Sequence, residues 1–241
     1  MAASTVARVS AQTTGGEDES WRSRWDVGPY VGVARHSLVG SHLGVTRDRN
    51  HLFVGLHATA HLVRSRRWTL SYAPELVPLL LISNNPTYRD VQQADGEHFV
   101  VEDGRGPVAG VAISPIGLEA QIRLTSRWRA YAAGATGGVW FTRAVPTAYS
   151  RAFNYTFEVG GGFLWQYRAR DSLRVGYKFH HLSNLYSAPD NPGIDGAVFL
   201  LGFDRAIGSH QDSRPRKTRM RSSSASSARV KARSRGGCDS M

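Results

Sequence analysis

The sequence has a single cysteine among its 241 residues, Cys238, so neither a disulfide framework nor a cysteine-based metal site is expected. It also has no uninterrupted run of 18 or more apolar residues, which argues against a transmembrane helix. A membrane β-barrel is compatible with this absence, because only every second residue of its strands needs to be apolar. Aromatic residues and glycine are frequent, as twisted strands with interfacial aromatic girdles require.

The first 24 residues lack the apolar core of roughly 7–15 residues that a secretory signal peptide needs. However, Val9-Ser10-Ala11 before Gln12 has the small-residue pattern of a signal-peptide cleavage site. We therefore expect residues 1–24 to contain the remnant of a signal peptide whose start lies further upstream.

The formal net charge of +11 is concentrated at the C-terminus. Residues 205–241 hold ten Lys or Arg residues and two Asp residues, which gives +8 there and leaves +3 for the rest of the chain. This segment is rich in serine and poor in large apolar residues, so we expect a disordered basic tail. RNA or an anionic membrane could attract it, but a solvated extension is the simpler interpretation. We expect no nucleic-acid partner.

Residues 25–204 read as a series of strand-length segments in which apolar and polar residues alternate. In residues 152–168, for example, Phe153, Tyr155 and Phe157 share one face, while Asn154 and Glu158 share the other. The sequence predicts an all-β fold, an eight-stranded antiparallel up-and-down transmembrane β-barrel. Its predicted strands are 26–36, 50–63, 66–82, 108–123, 126–142, 152–168, 171–184 and 194–204.

The polarity of the two faces distinguishes a membrane barrel from a soluble barrel. A soluble ligand-binding barrel would have the same period of two with the apolar face inside. Here Glu119, Arg123 and Glu158 share the face opposite wide aromatic residues, and eight strands enclose just enough room for side chains. We therefore expect a polar interior, an apolar outer wall, and a long polar loop over residues 84–106.

The predicted seventh strand ends in a histidine and a serine on its apolar face. His181 and Ser183 are two residues apart, about 6–7 Å along a strand, and they follow Tyr177 and Phe179 on the same face. Asp195 has the outward parity of the next strand and can meet His181 across an antiparallel pair. A serine becomes a nucleophile when a base takes its proton and an acid orients that base, so this set suggests a hydrolase acting from the lipid side.

Further residues qualify as site residues or as rivals. Asn184 and Asn191 offer side-chain amide donors, and Gly193 offers a backbone N–H, as a developing oxyanion requires. His180 is a second possible base, but its parity directs it into the barrel. His57 and His61 are four residues apart on the inner face, about 13 Å along a strand, which is too far for one metal ion. We expect neither a metal nor a cofactor.

The residues Phe179-His180-His181-Leu182-Ser183-Asn184 and Asn191-Pro192-Gly193-Ile194-Asp195 resemble the C-terminal signature of the lipid A 3-O-deacylase family, the PagL-like outer-membrane esterases. The resemblance implies His181 as the general base, Ser183 as the nucleophile and Asp195 as the orienting acid, on an outer wall facing the external leaflet. It associates Asn184 and Asn191 with the site. The sequence departs from the pattern in having Asp195 where the family has Glu, and in continuing past Phe203, a plausible barrel end.

The resemblance implies an outer-membrane esterase that removes the 3-O-linked hydroxyacyl chain from lipid A in lipopolysaccharide. Four alternatives remain open at this stage: a structural or adhesive barrel whose polar collar mimics a triad, a soluble barrel that binds an apolar ligand, an esterase acting on phospholipids, and an esterase acting on other acyl esters. The sequence also leaves open a homodimer.

Overall fold

The computed structural model describes residues 23–35, 43–93 and 96–209, and these ranges consist of strands and their connections. The predicted signal-peptide remnant up to residue 22 and the tail beyond residue 209 lie outside the described residues. No helix in the described ranges is long and apolar enough to cross a membrane. The strands are β1 (Ser23–Ala34), β2 (His51–Arg64), β3 (Trp68–Tyr72), β4 (Glu75–Gln92), β5 (His98–Arg123), β6 (Trp128–Val145), β7 (Arg151–Gln166), β8 (Asp171–Ser183) and β9 (Ile194–Ser209).

The strands form a closed antiparallel ring. Apart from β3 and β4, each strand pairs with its neighbour in the chain, and β9 pairs with β1, which closes the barrel. β3 and β4 together occupy one of the eight positions, because both pair with β2 on one side and β5 on the other. The predicted eight-stranded up-and-down barrel is confirmed, and the strand predicted over 66–82 is interrupted at Pro74, which has no N–H to donate.

Two strands are much longer than predicted. β4 continues to Gln92 and β5 already begins at His98, and their pairing runs from Ile82↔Val108 to Gln92↔His98. The long loop predicted over residues 84–106 is therefore wrong: this segment is a β-hairpin. Similarly, β9 continues past the predicted end at Asp204 to Ser209.

Connections of different length mark the two ends of the barrel. Residues 65–67, 124–127 and 167–170 form short turns at the end where β1 begins and β9 ends. The opposite end has the connections 35–50, 146–150 and 184–193 and the β4–β5 hairpin. Short turns at one end and longer loops at the other are typical of outer-membrane barrels.

The outer wall is apolar, as the alternation predicted. Large side chains on this wall are exposed along every strand, with Trp25, Trp68, Trp128 and Trp165 near the short turns and Trp140 near the longer loops. Two aromatic girdles around an apolar band are the arrangement expected of a barrel in a bilayer.

The interior is polar only in part. Towards the short turns Arg174 pairs with Glu119 and Asp204 at 2.7 and 2.8 Å. Nearer to the longer loops Lys178 pairs with Glu75 and Glu158 at 2.7 and 2.8 Å. At the end with the longer loops the expectation of a polar interior is only partly met, since buried His51, Asn85 and Asn154 share it with apolar side chains. The apolar side chains include Phe53, Leu80, Ile82, Val108, Val139, Phe141, Val145, Leu182, Ile194 and Val198.

Candidate active site

His181 and Ser183 are the last two outward-facing residues of β8, at the barrel end with the longer loops. Their inward neighbours His180 and Leu182 are almost completely buried. Leu182 belongs to the apolar filling of the barrel together with Ile194, which precedes Asp195. The strand ends that display His181 and Asp195 are therefore held from inside by close packing, which limits their freedom to move.

His181 meets Asp195 directly across the β8–β9 pair. The two residues are register partners, and His181 Nδ1 lies 2.5 Å from Asp195 Oδ1. The His181 side chain is 15 % exposed, whereas Asp195 is not exposed at all. This contact occupies Nδ1 and leaves Nε2 as the ring nitrogen available to a neighbouring hydroxyl, the arrangement that a serine hydrolase requires.

Asp195 is buried although its parity directs it outwards. Residues 43–46 of the β1–β2 connection lie over it, and the Gly44 backbone N–H donates to Asp195 Oδ2 at 2.8 Å. The same residues form a parallel bridge with β9, Thr46↔Ile194. The carboxylate thus has one oxygen on His181 and the other on a backbone amide, which fixes its orientation.

The β8–β9 connection folds back on itself beside the site. The Asn184 backbone N–H donates to Asn191 Oδ1 at 2.9 Å, and Asn184 Nδ2 donates to the Asp190 carbonyl at 2.6 Å. One N–H of Asn184 Nδ2 is thereby used within the connection, and Asn191 takes part through its oxygen, so Asn191 Nδ2 is not engaged in these two bonds. Asn184 has a structural part here that its predicted role as an oxyanion donor did not include.

Gly193 approaches the histidine ring closely. Its backbone has φ +60°, in the left-handed region, and a Cβ at this position would lie 3.2 Å from His181 Cε1. Glycine is the residue that adopts this conformation at little cost and leaves room for the ring. The structure places all six predicted residues at the facing ends of β8 and β9 and in their connection: His181, Ser183, Asp195, Asn184, Asn191 and Gly193.

Comparison with known families identifies the chain. The family profile described as lipid A 3-O-deacylase (PagL) matches residues 56–204, well over half of the chain. The chain belongs to this family. No curated protein matches the chain at a significant level. The protein is therefore an outer-membrane β-barrel of the lipid A 3-O-deacylase family, as the signature on β8 and β9 implied.

The fold is similar to that of a solved outer-membrane enzyme. The crystal structure of the outer-membrane enzyme PagL has a TM-score of 0.50 and 13 % identity, and the match covers 76 % of this chain and 99 % of that chain. Neisserial surface protein A matches with TM-score 0.46 and 12 % identity over 77 % and 98 % of the two chains. Ail of Yersinia pestis matches with TM-score 0.40 and 11 % identity over 76 % and 98 %. At 13 % identity the likeness to PagL concerns the fold alone.

The lumen histidines of this deacylase-family barrel take no part in the site. His180 packs against His51 and Phe53, with ring centroids 5.9 and 5.0 Å away. His57 Nε2 lies 2.7 Å from Asp204, and His61 Nδ1 lies 2.8 Å from Ser71 Oγ. Their predicted lumen positions are confirmed, and within the described ranges no group of three or more His, Cys, Asp or Glu side chains is arranged to hold a metal ion.

Sequence reasoning missed three neighbours of the deacylase signature. Tyr155 lies opposite Ser183 across β7–β8, and Phe157 lies opposite His181. The tight turn at residues 167–170, which makes Gln166 the partner of Ser172, fixes this register, so counting back from the turn could have found both aromatic residues. Gly44 is the other omission, and no local pattern in the sequence marks it.

Proposed function

We propose that the protein hydrolyses the ester that links a hydroxyacyl chain to the 3-position of lipid A, with Ser183, His181 and Asp195 as its catalytic residues. One observation supports this most strongly. The 2.5 Å contact between His181 and Asp195 lies on the outer wall, on the same strand face as Ser183, in a member of a deacylase family. The catalytic set therefore lies on the lipid-facing side of the strands, where an acylated substrate is already dissolved.

In the first half of the reaction, Ser183 Oγ attacks the ester carbonyl carbon while His181 Nε2 takes the hydroxyl proton. Asp195 stays ionised and stabilises the imidazolium through Nδ1–H. The C–O bond to the sugar then breaks, and His181 gives its proton to the departing sugar oxygen. This leaves the acyl chain esterified to Ser183 and a free 3-hydroxyl on the sugar.

In the second half, a water molecule attacks the acyl-enzyme carbonyl and passes a proton to His181. The Ser183–acyl bond breaks, His181 returns the proton to Ser183 Oγ, and the hydroxy fatty acid leaves. Both tetrahedral intermediates carry a negative oxygen, for which Asn191 Nδ2 and the Gly193 N–H are the proposed donors. The cycle consumes one water and needs neither a metal nor a cofactor.

The position of the site supports attack from the external leaflet. Ser183 ends β8, and Asp195 lies at the start of β9, at the barrel end with the longer connections. Longer loops of outer-membrane barrels are extracellular, and the external leaflet is the one that contains lipopolysaccharide. We therefore propose that the site faces this leaflet and takes its substrate by lateral diffusion.

Mass spectrometry of lipid A tests the proposal. A Gram-negative host that expresses the protein should produce lipid A lacking one hydroxyacyl chain, whereas a host that expresses Ser183→Ala should keep the full set. Loss of a chain from phospholipids instead would assign a different ester substrate. Unchanged lipids from a host whose outer membrane contains the folded barrel would contradict an enzymatic function and favour a structural one.

A further inference from the structure

The acid of the proposed triad lies in an environment that strand alternation alone does not produce. Asp195 has outward parity on β9, like Phe199 and Leu201, yet those two side chains are 64 % and 57 % exposed and Asp195 is 0 % exposed. Its cover comes from Leu43–Thr46, a short stretch of the β1–β2 connection that we call the strap. The strap lies far from Asp195 in sequence, so only the tertiary fold brings it there.

Three backbone hydrogen bonds attach the strap. Val45 N–H donates to the Pro192 carbonyl at 2.8 Å, and Thr46 N–H donates to the Gly193 carbonyl at 3.3 Å. The third bond comes from Gly44, whose N–H donates to Asp195 Oδ2 at 2.8 Å. The strap therefore joins the carboxylate to the same connection that packs Gly193 against the His181 ring.

The close approach depends on glycine at position 44. A Cβ there would lie 3.0 Å from both Asp195 Cγ and Asp195 Oδ1, and 3.1 Å from the Asp195 backbone nitrogen. Carbon atoms in proteins rarely come this close, so a larger residue must displace either the carboxylate or the strap. The atom crowded by the added carbon, Oδ1, is the one that accepts from His181.

We propose that Gly44 is a positioning residue for the reaction and that it acts through Asp195. Its N–H holds one carboxylate oxygen, and this orients the other oxygen towards His181. This inference rests on the proposed function. It also accounts for an aspartate where the family has glutamate. The shorter side chain reaches His181 at 2.5 Å because it lies directly opposite the histidine, and its free oxygen is satisfied by the strap.

Steady-state kinetics of purified Gly44→Ala on lipid A test this role. Displacement of a catalytic group by about 1 Å costs on the order of 100-fold in rate. The added methyl group needs a shift of only a few tenths of an ångström, so we expect kcat to fall by roughly fivefold while KM changes by less than about twofold. Gly106→Ala is the matched control, since it adds the same methyl group to a glycine in the β4–β5 hairpin. The atom nearest to the added carbon would be Thr87 Cγ2, at 3.9 Å. It should keep the activity of the parent protein.

A double-mutant cycle separates positioning from general damage. If Gly44 acts through the carboxylate, Gly44→Ala should cause no further loss in an Asp195→Ala background, because the group it positions is already absent. An equal loss in both backgrounds would overturn the proposal, and so would a Gly44→Ala variant as active as Gly106→Ala. Val45→Pro removes the N–H that anchors the strap to Pro192, so it should lower kcat as Gly44→Ala does.

A readout that needs no substrate keeps this test independent of the proposed function. The proton between His181 Nδ1 and Asp195 should give a low-field NMR resonance in the detergent-solubilised barrel, identified by its disappearance in His181→Ala. We expect Gly44→Ala to shift or abolish this resonance while heat-dependent gel mobility shows a folded barrel. An unshifted resonance would overturn the role of Gly44, whereas an inactive parent protein with the shift present would overturn only the proposed function.

Discussion

Phe157 on β7 lies directly opposite His181 on β8, with 47 % of its surface exposed on the outer wall. Tyr155 occupies the same relation to Ser183, and Phe153 packs edge-on against Tyr155 with ring centroids 5.1 Å apart. The histidine and the serine are thus bordered by an aromatic wall on the β7 side and by the strap and Asp195 on the β9 side. We infer that an acyl chain whose ester reaches Ser183 runs along the aromatic wall on the β7 side.

Phe157→Ala should therefore weaken substrate binding. Loss of a ring that contacts the acyl chain costs about 1–1.5 kcal/mol, so we expect KM to rise roughly tenfold with kcat little changed. Phe163→Ala is the matched control, because Phe163 has the same outward parity on β7 and is 52 % exposed but lies nearer the short turns. Kinetics of both variants on lipid A in detergent micelles test this, and equal KM values would contradict an acyl path along β7.

Asp195→Asn should reduce turnover rather than binding. The amide keeps the shape of the side chain but no longer stabilises a charged His181, so we expect kcat to fall by about 10²–10⁴ with KM nearly constant. Asp171→Asn, at the opposite end of the barrel, should leave both parameters unchanged. Activity close to that of the parent protein in Asp195→Asn would mean that another acid orients the histidine.

The lumen ion pairs should determine stability without determining the chemistry. Lys178→Met leaves Glu75 and Glu158 buried without their cation, which costs about 3–5 kcal/mol for a buried pair. We expect the urea midpoint of unfolding to fall, while the rate per folded molecule stays constant because Lys178 faces away from Ser183. Adding Glu75→Gln and Glu158→Gln should recover much of the stability, and failure to do so would contradict the charge-pair explanation.

The sequence predicts the parts of this fold that depend on alternation alone. Apolar and polar residues alternate from Phe153 to Val159 on β7 and from Leu173 to His180 on β8, and the structure has these side chains on the predicted faces. The outward parity of His181, Ser183 and Asp195 follows from the same alternation. The short turn between β7 and β8 fixes the register, so the position of Tyr155 was also within reach of sequence reasoning.

Features that depend on contacts distant in sequence were not predictable in this way. Pro86, Gly104 and Gly106 are typical of a loop, but cross-strand pairing keeps their segment in a β-hairpin. The apolar cluster near the site forms because inward-facing residues of different strands lie at the same height along the barrel axis. The sequence of a single strand does not reveal which residues of the other strands lie at its height. Gly44 has no neighbouring motif, because its importance arises only where the strap meets Asp195.

The most direct test of the central claim is covalent labelling of the purified barrel with a fluorophosphonate, followed by mass spectrometric mapping of the adduct. Such reagents phosphonylate a serine whose proton is removed by a neighbouring base. We expect one adduct, on Ser183, which disappears in Ser183→Ala and forms far more slowly in His181→Ala. An adduct on another residue, or undiminished labelling of Ser183 without His181, would contradict activation of Ser183 by the His181–Asp195 pair.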